Sequence, residues 1–158
     1  MNGDAQVQAY AAADFSSGDQ ATLEAIQQLL FTTSPLPADP LVVDLGCGPG
    51  NITLRLAELF PNARIFGIDG AESMLALARE RAQQQQLEIS FLCQTLQEVL
   101  QGPLLGQADL IVSNSLLHHL HQPDLLWTVT QALAAPGCRA LHRDLRRPSS
   151  DAEVEQLL

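Results

Sequence analysis

Short apolar runs alternate with longer amphipathic stretches from residue 41 onward. The apolar runs predict five strands, at residues 41–45, 64–69, 88–93, 108–113 and 138–144. The stretches between them carry apolar residues at helical spacing and predict helices at residues 52–60, 71–86, 96–100 and 123–134. Strands that alternate with helices indicate βαβ units. Because crossovers between parallel strands are right-handed, the pattern predicts a doubly wound α/β sheet with helices on both faces.

A further amphipathic stretch precedes the first strand. Asp19 is a candidate cap for a helix there. Its apolar face comprises Leu23, Ile26, Leu29 and Leu30. Three prolines between residues 35 and 40 separate this helix from the strands, and residues 152–158 predict the start of another helix. We therefore divide the chain into an N-terminal helical segment, residues 1–40, and an α/β core, residues 41–158.

The length and charge of the chain limit the number of domains and the classes of function it can have. The 158 residues predict one domain, and 18 acidic against 8 basic residues give a net charge of −10. That charge repels nucleic-acid phosphates and anionic membranes, so we expect neither as a partner. All the basic residues are arginines. The absence of lysine excludes a P-loop nucleotide hydrolase and a Schiff-base enzyme.

The cysteines and the N-terminal residues indicate where in the cell the protein is located. Cys47, Cys93 and Cys138 are odd in number and have no C-x-x-C spacing, so neither a disulfide framework nor a metal site is expected. The first residues lack the basic and apolar regions of a signal peptide, and no apolar run is long enough to cross a membrane. We expect a cytoplasmic protein.

The loop after the first strand is the first candidate for a ligand site, because ligands of open α/β sheets bind beyond the carboxyl ends of the strands. Residues 44–51 read Asp-Leu-Gly-Cys-Gly-Pro-Gly-Asn, and the third glycine comes one residue too early for a dinucleotide fingerprint. Pro49 has no N–H to donate, and Asp44 would repel a phosphate. The loop therefore predicts a ligand with a cationic centre rather than a pyrophosphate.

Asp69 adds a second acid at the end of the second strand. It lies about 20 residues beyond the loop, the position from which a carboxylate binds ribose hydroxyls in nucleotide-binding folds. Together, the loop, Asp44 and Asp69 favour a ligand that carries both a ribose and a positive charge.

These residues resemble a known family. Residues 42–50 are similar to motif I of the class I S-adenosylmethionine-dependent methyltransferases, and Asp69 with residues 72–75 is similar to the second motif. The similarity extends over about residues 41–148, and His118-His119-Leu120 and residues 144–148 are similar to a small-molecule branch of the family. The resemblance implies a Rossmann-like fold, in which residues 41–158 bind S-adenosylmethionine and release S-adenosylhomocysteine.

The same resemblance implies a site. It assigns cofactor contacts to Asp44, Gly46, Cys47, Gly48, Gly50, Asp69, Gly70, Met74, Gln94, Thr95, Ser113 and Asn114. Asp44 would lie near the ammonium group, Asp69 would hold the ribose and Met74 would pack on the adenine. Gln94 stands where the family usually has an acid, and its amide oxygen can still accept a hydrogen bond. Ser113 and Asn114 would face the sulfonium and the methyl acceptor.

Three histidines follow the fourth strand, at positions 118, 119 and 121. A histidine can accept a proton from a hydroxyl or amine at neutral pH, so His118 is a candidate catalytic base. A histidine that caps a helix or packs in the core is the alternative. Zinc binding is disfavoured, because no cysteine or acidic partner has ligand spacing.

The resemblance also implies that the chain is shorter than its family. The family fold continues with two more strands, so we expect a truncated core whose fifth strand is an exposed edge, able to form a homodimer. The expected function is methyl transfer from S-adenosylmethionine to a small-molecule acceptor. The alternative is a cofactor-binding or inactive module that needs a partner or its own dimer. A third hypothesis, a nucleotide-linked oxidoreductase, conflicts with Asp44 and Pro49.

Overall fold

The computed structural model describes residues 16–146 together with Ala5. Its strands are β1 (Leu41–Leu45), β2 (Arg64–Asp69), β3 (Ser90–Cys93), β4 (Ala108–Asn114) and β5 (Ala134–Arg143). Its helices are α1 (Ser16–Phe31), α2 (Asn51–Leu59), α3 (Glu72–Gln84), α4 (Leu96–Val99) and α5 (Asp124–Leu133). A short 3-10 turn, Leu117–His119, follows β4. The predicted Rossmann-like α/β fold is confirmed, since the five strands form one sheet in the order β3-β2-β1-β4-β5 with parallel pairing throughout.

The central strand shows how the sheet buries both faces. Every residue of β1 is buried, because helices cover the sheet on each side. Leu41, Val43 and Leu45 pack with apolar residues of α4 and α5. Val42 points the other way, toward α1 and α2, because side chains alternate along a strand.

The strand order reverses beside β1. The chain passes from β1 to β2 and β3 on one side, and returns to β4 on the other. The loops after β1 and β4 therefore diverge, which leaves a crevice at the carboxyl ends of the strands. This crevice is where the sequence places its candidate ligand loop.

The first helix and the fifth strand differ most from their predicted boundaries. The first helix begins at Ser16, so Asp19 lies within α1, only 6% exposed, and does not cap it. The fifth strand begins at Ala134 rather than residue 138, and runs through Pro136 and Gly137 with a register shift against β4. An edge strand tolerates proline, because its outer backbone positions need no ladder hydrogen bond.

Two further expectations concern the ends of the chain and membranes. The helix predicted at residues 152–158 lies outside the described residues. Within the part of the chain that the structure describes, no helix has the length and apolarity needed to cross a membrane.

Candidate functional site

The loop between β1 and α2 depends on left-handed glycines. Gly46, Gly48 and Gly50 have φ angles of 68°, 52° and 84°. The amides of Gly46 and Cys47 both donate to the carbonyl of Ile68 in β2, at 2.8 and 3.0 Å. A Cβ at Gly46 would lie 2.7 Å from Leu116 Cδ1, so both the backbone conformation and the available space require glycine there.

Asp44 is a buried acid beneath this loop. It is 2% exposed, and the Thr53 hydroxyl of α2 donates to its Oδ2 at 2.7 Å. Burial raises the pKa of Asp44 to about 7, against the lowering effect of the Thr53 hydrogen bond, and the charges of Asp69 and Asp19 raise it further. A cation placed beside Asp44 would favour its ionised form.

Asp69 is held rigidly at the end of β2. Its Oδ2 accepts from the Gly48 amide at 2.9 Å, and its Oδ1 accepts from the Ala71 amide at 2.8 Å. A carboxylate oxygen has a second lone pair, so each can also accept from a ligand hydroxyl. The two backbone bonds orient the carboxylate for that purpose.

Two adjoining clefts lie at the carboxyl ends of the strands. The first has a volume of about 530 Å³ and includes the predicted residues Asp44, Gly46, Cys47, Gly48 and Asn114. The second has a volume of about 450 Å³ and includes the predicted residues Asp69, Gly70, Gln94, Thr95 and again Gly46. Gly46 and His119 line both clefts, so the two clefts adjoin at the switch point.

Gly50 and Met74, two of the predicted cofactor residues, lie away from both clefts. A Cβ at Gly50 would lie 2.7 Å from Leu54 Cδ1 and 3.1 Å from Ala78 Cβ, so Gly50 allows α2 and α3 to pack closely. Met74 is buried within α3. Their contacts with a cofactor remain predictions.

Ser113 also lies away from the clefts, because alternation along β4 separates it from Asn114. The Ser113 hydroxyl points to the α5 side of the sheet, where its oxygen lies 2.8 Å from His142 Nδ1. His142 Nε2 lies 2.9 Å from the hydroxyl of Thr130, which itself donates to the Leu126 carbonyl. The cofactor contact of Ser113 therefore remains a prediction. Because the Ser113 hydroxyl points away from the clefts, only its backbone could make that contact.

Thr95 lines the second cleft with its polar groups already engaged. Its hydroxyl accepts from the Glu98 amide at 3.3 Å, and its amide donates to the Glu98 carboxylate at 2.7 Å, which forms a capping box at the start of α4. Gln94, beside it, brings a side-chain amide to the wall of the same cleft, as do Gln97 and Gln122.

Cys47 lines the first cleft, but its thiol is unreactive. Burial raises the pKa of its thiol, and the neighbouring carboxylates of Asp44 and Asp69 raise it further. The thiol therefore stays protonated, and nucleophilic chemistry at Cys47 is not supported.

Helix α1 supplies residues that the sequence pattern did not identify. Asp19 lines the first cleft, and burial raises its pKa against the lowering effect of Arg55, Arg81 and Arg143. The Thr22 hydroxyl lies 3.0 Å from Asn114 Oδ1 and fixes α1 beside β4. No local signal could reveal this contact, because the two residues are 92 positions apart.

The segment after β4 and the end of β5 add further polar groups to the first cleft. Ser115 has a φ of 60°, a conformation that is costly for a residue other than glycine and that recurs at functional sites. Its amide donates to the Arg143 carbonyl at 2.9 Å. Ser115, His118, His119 and Arg143 line the cleft there. Of these four, only His118 was predicted.

Together, the parallel sheet, the crevice at its switch point and the glycine loop flanked by two acids define a ligand-binding α/β protein. The sequence profile of the methyltransferase domain family matches residues 42–137. The chain belongs to this methyltransferase family, which confirms the resemblance noted in the sequence.

Curated relatives carry methyltransferase names. The chain is 43% identical over 110 residues to trans-aconitate 2-methyltransferase of Variovorax paradoxus, which covers 70% of this chain and 40% of the relative. It is 37% identical over 123 residues to the Methylobacterium nodulans protein of the same name, which covers 76% of this chain and 45% of the relative. The chain thus spans less than half the length of these relatives.

Solved structures share the fold. A SAM-dependent methyltransferase from Aquifex aeolicus superposes with a TM-score of 0.75 at 17% identity, covering 96% of this chain and 77% of that one. The Haemonchus contortus phosphoethanolamine N-methyltransferase 2, solved with S-adenosyl-L-methionine, has a TM-score of 0.63 at 19% identity, covering 85% of this chain and 31% of that one.

Proposed function

We propose that this protein transfers a methyl group from S-adenosylmethionine to a small-molecule acceptor. The observation that carries the proposal is the pair of acids beside the glycine loop, with the Asp44 carboxylate in the first cleft and the Asp69 carboxylate in the second. The cofactor has matching groups, an ammonium for Asp44 and two ribose hydroxyls for Asp69. When bound, it supplies a methyl carbon that its sulfonium has already activated.

The walls of the two clefts fit such a cofactor. Gly46, which lines both clefts, contributes only backbone where they adjoin, and the Leu116 side chain packs against it there. At Gly70 no atom other than those of its chain neighbours lies within 4 Å of the position a Cβ would take, so the second cleft is open beside Asp69. The Gln94 amide oxygen can accept from an adenine amino group there.

The chain contributes alignment more than covalent chemistry. Holding donor and acceptor in line can lower a barrier by roughly 7–11 kcal/mol. His118, His119 and Arg143 line the first cleft together with the glycine loop, where they can contact an acceptor. Among them, His118 is the residue we assign as the proton acceptor.

The names of the relatives and of the solved structures indicate two acceptors to test. Both relatives described above are named trans-aconitate 2-methyltransferase, so trans-aconitate is one acceptor to test, and Arg143 could pair with its carboxylates. An amine such as phosphoethanolamine, named in the Haemonchus structure, is another. We expect no nucleic-acid or membrane partner, given the net charge of −10.

Two further proposals concern the cellular location and the oligomeric state of the protein. A cytoplasmic location is supported by the free thiols of Cys47, Cys93 and Cys138. A homodimer through the sheet edge is supported by β5, whose one strand partner within the described residues is β4. The division into a helical segment and a cofactor-binding core remains a proposal as well.

Calorimetric titration of the chain with S-adenosylhomocysteine tests the cofactor assignment, with NAD as the control ligand. We expect saturable binding of S-adenosylhomocysteine alone. Asp69→Ala should weaken it by about tenfold or more, because hydrogen bonds to a charged group contribute roughly 1.5–3 kcal/mol each. The matched control is Asp39→Ala, which removes an exposed carboxylate elsewhere.

Three results would change the assignment. Absence of S-adenosylhomocysteine binding, or full affinity in Asp69→Ala, contradicts the proposed site. Binding of NAD instead supports the oxidoreductase hypothesis. Binding of S-adenosylhomocysteine without methyl transfer to either acceptor supports the alternative, a cofactor-binding module that needs a partner or its own dimer.

A further inference from the structure

His118 and Asp144 meet although they are 26 positions apart. His118 lies in the 3-10 turn after β4, and Asp144 follows β5 directly. Because these strands pair in parallel, with Asn114 opposite Arg143, the segments that follow them leave the sheet side by side. The His118 Nδ1 lies 2.6 Å from Asp144 Oδ1.

The Asp144 carboxylate is fixed by donors on both oxygens. Its Oδ2 accepts from the Leu117 amide at 2.6 Å and, more weakly, from the His118 amide at 3.4 Å. Its Oδ1 accepts from the Leu145 amide at 2.7 Å as well as facing His118 Nδ1. Burial alone would raise the pKa of Asp144, but the hydrogen bonds from His118, Leu145 and Leu117 outweigh it and lower the pKa. The Asp144 carboxylate is therefore ionised at neutral pH and accepts hydrogen bonds.

An ionised carboxylate can only accept, so His118 Nδ1 must carry the hydrogen that it shares with Asp144. A neutral imidazole has one N–H, which leaves Nε2 as the nitrogen with a lone pair. Nε2 makes no hydrogen bond within the described residues, and the His118 ring lines the first cleft. The ring that lines the first cleft thus carries a nitrogen able to accept a proton.

We propose that Asp144 is a positioning residue that holds His118 as its Nδ1–H tautomer, so that His118 Nε2 accepts a proton from a methyl acceptor bearing an O–H or N–H. This inference rests on the proposed function. The acceptor's O–H or N–H bond breaks as its oxygen or nitrogen bonds to the methyl carbon. The proton passes to His118 Nε2, and the electron pair of the cleaved C–S bond stays on sulfur as a neutral thioether. A carboxylate acceptor has no such proton and would not need the pair.

Nitrogen NMR of the ligand-free protein tests the tautomer without any activity. The chain contains four histidines, and loss of one signal in His118→Gln assigns His118. At about pH 9, where an ordinary imidazole is neutral, the long-range proton–nitrogen couplings should show Nδ1 protonated and Nε2 bare. A dominant Nε2–H tautomer in the wild-type protein would overturn the proposal.

Asp144→Asn tests the cause of that tautomer. The asparagine amide must place its NH₂ against one of the two sets of donors that Asp144 accepts from, so the pairing with Nδ1–H is lost or strained. We expect a shift of His118 toward the Nε2–H form. Asp124→Asn is the matched control, since it removes an exposed carboxylate from α5 and should leave the tautomer unchanged. An unchanged tautomer in Asp144→Asn would also contradict the proposal.

Steady-state kinetics test the catalytic consequence. With an N–H acceptor such as phosphoethanolamine, His118→Gln and Asp144→Asn should each lower kcat about 100-fold, with the KM for S-adenosylmethionine little changed. The double variant should be no slower than the slower single variant. Transfer to trans-aconitate alone, with kcat unchanged in His118→Gln, would overturn the proton-accepting role.

The failure of this inference differs from the failure of the proposed function. Absence of S-adenosylhomocysteine binding would reject the function, whatever the tautomer of His118. Cofactor binding with the Nε2–H tautomer would reject the His118–Asp144 arrangement and leave the function intact.

Discussion

At the scale of single residues, the site depends on a carboxyl group whose ionisation is balanced near neutrality. Asp44 has one side-chain hydrogen bond, from Thr53, and lies in a buried position beside two other acids, Asp69 and Asp19. Its pKa of about 7 means that small electrostatic changes in the cleft shift its charge. A bound ammonium group is such a change.

Affinity for S-adenosylhomocysteine should therefore depend on pH through Asp44. Because the ammonium favours the ionised form, the Kd should rise as the pH falls below about 7, by up to about tenfold for each pH unit. Asp44→Asn should bind more weakly at pH 8 and lose most of this dependence. Titration calorimetry from about pH 8 to pH 6 measures both effects. An equal slope in the wild-type protein and in Asp44→Asn would exclude Asp44 as the titrating group.

Asp44 should also destabilise the ligand-free folded protein at neutral and higher pH. The folded pKa of about 7 lies above the ordinary value of 3.8, so the folded state holds a proton that the unfolded state releases. The contribution of the protonated Asp44 carboxyl to the free energy of unfolding is fully present below about pH 4. It is lost as the pH rises through about 7, because the buried carboxyl must then ionise. At pH 8, Asp44→Asn should raise the free energy of unfolding by about 2–4 kcal/mol, and urea denaturation measures the difference.

At the scale of elements, α1 covers one side of the first cleft. The helix is attached to the sheet by Ile26, which is fully buried against Val42, Leu110 and their neighbours. Polar contacts tie its first turns to the strand ends, since Arg143 donates to the Gly18 carbonyl at 3.0 Å. The position of Asp19 in the cleft thus depends on how well α1 packs.

Ile26→Ala should weaken this attachment. Removing a fully buried isoleucine side chain costs about 2–5 kcal/mol. We expect a drop in Tm, faster hydrogen exchange in α1 and weaker cofactor binding. Phe31→Ala, at a position of the same helix that is 87% exposed, is the control and should change little. Equal effects of the two substitutions would show that the packing of Ile26 does not hold α1.

At the scale of the whole molecule, the net charge of −10 acts on any charged ligand before contact. S-adenosylmethionine carries one net positive charge at neutral pH, and S-adenosylhomocysteine carries none. The acidic surface should therefore attract the substrate form of the cofactor and not the product form. This asymmetry would favour exchange of product for substrate.

Salt should reveal this attraction. Between about 0.02 and 0.5 M sodium chloride the Debye length falls below the size of the site, so long-range attraction is screened. We expect the Kd of S-adenosylmethionine to rise several-fold over that range and the Kd of S-adenosylhomocysteine to change less. Calorimetry with the two ligands measures the difference, and identical salt dependence would show that the net charge does not act at a distance.

The sequence predicted the central elements well because their signals are local. β1 and β2 have the predicted bounds, since strands buried on both faces are continuous apolar runs. β5 was misjudged because Pro136 and Gly137 carry a turn signal, whereas the position of the strand at the sheet edge allows it to include them. Edge position is a property of the assembled sheet.

The sequence by itself determined the α/β class, the glycine loop and the acids Asp44 and Asp69, because each follows from periodicity or short spacing. Only the tertiary structure decided that Asp19 faces the first cleft, that Ser113 faces away from it and that Asp144 meets His118. The physical reason is that helix docking and parallel strand pairing join residues as far as 125 positions apart, as Gly18 and Arg143 are. The burial and hydrogen bonds that define such contacts exist only once the sheet has formed.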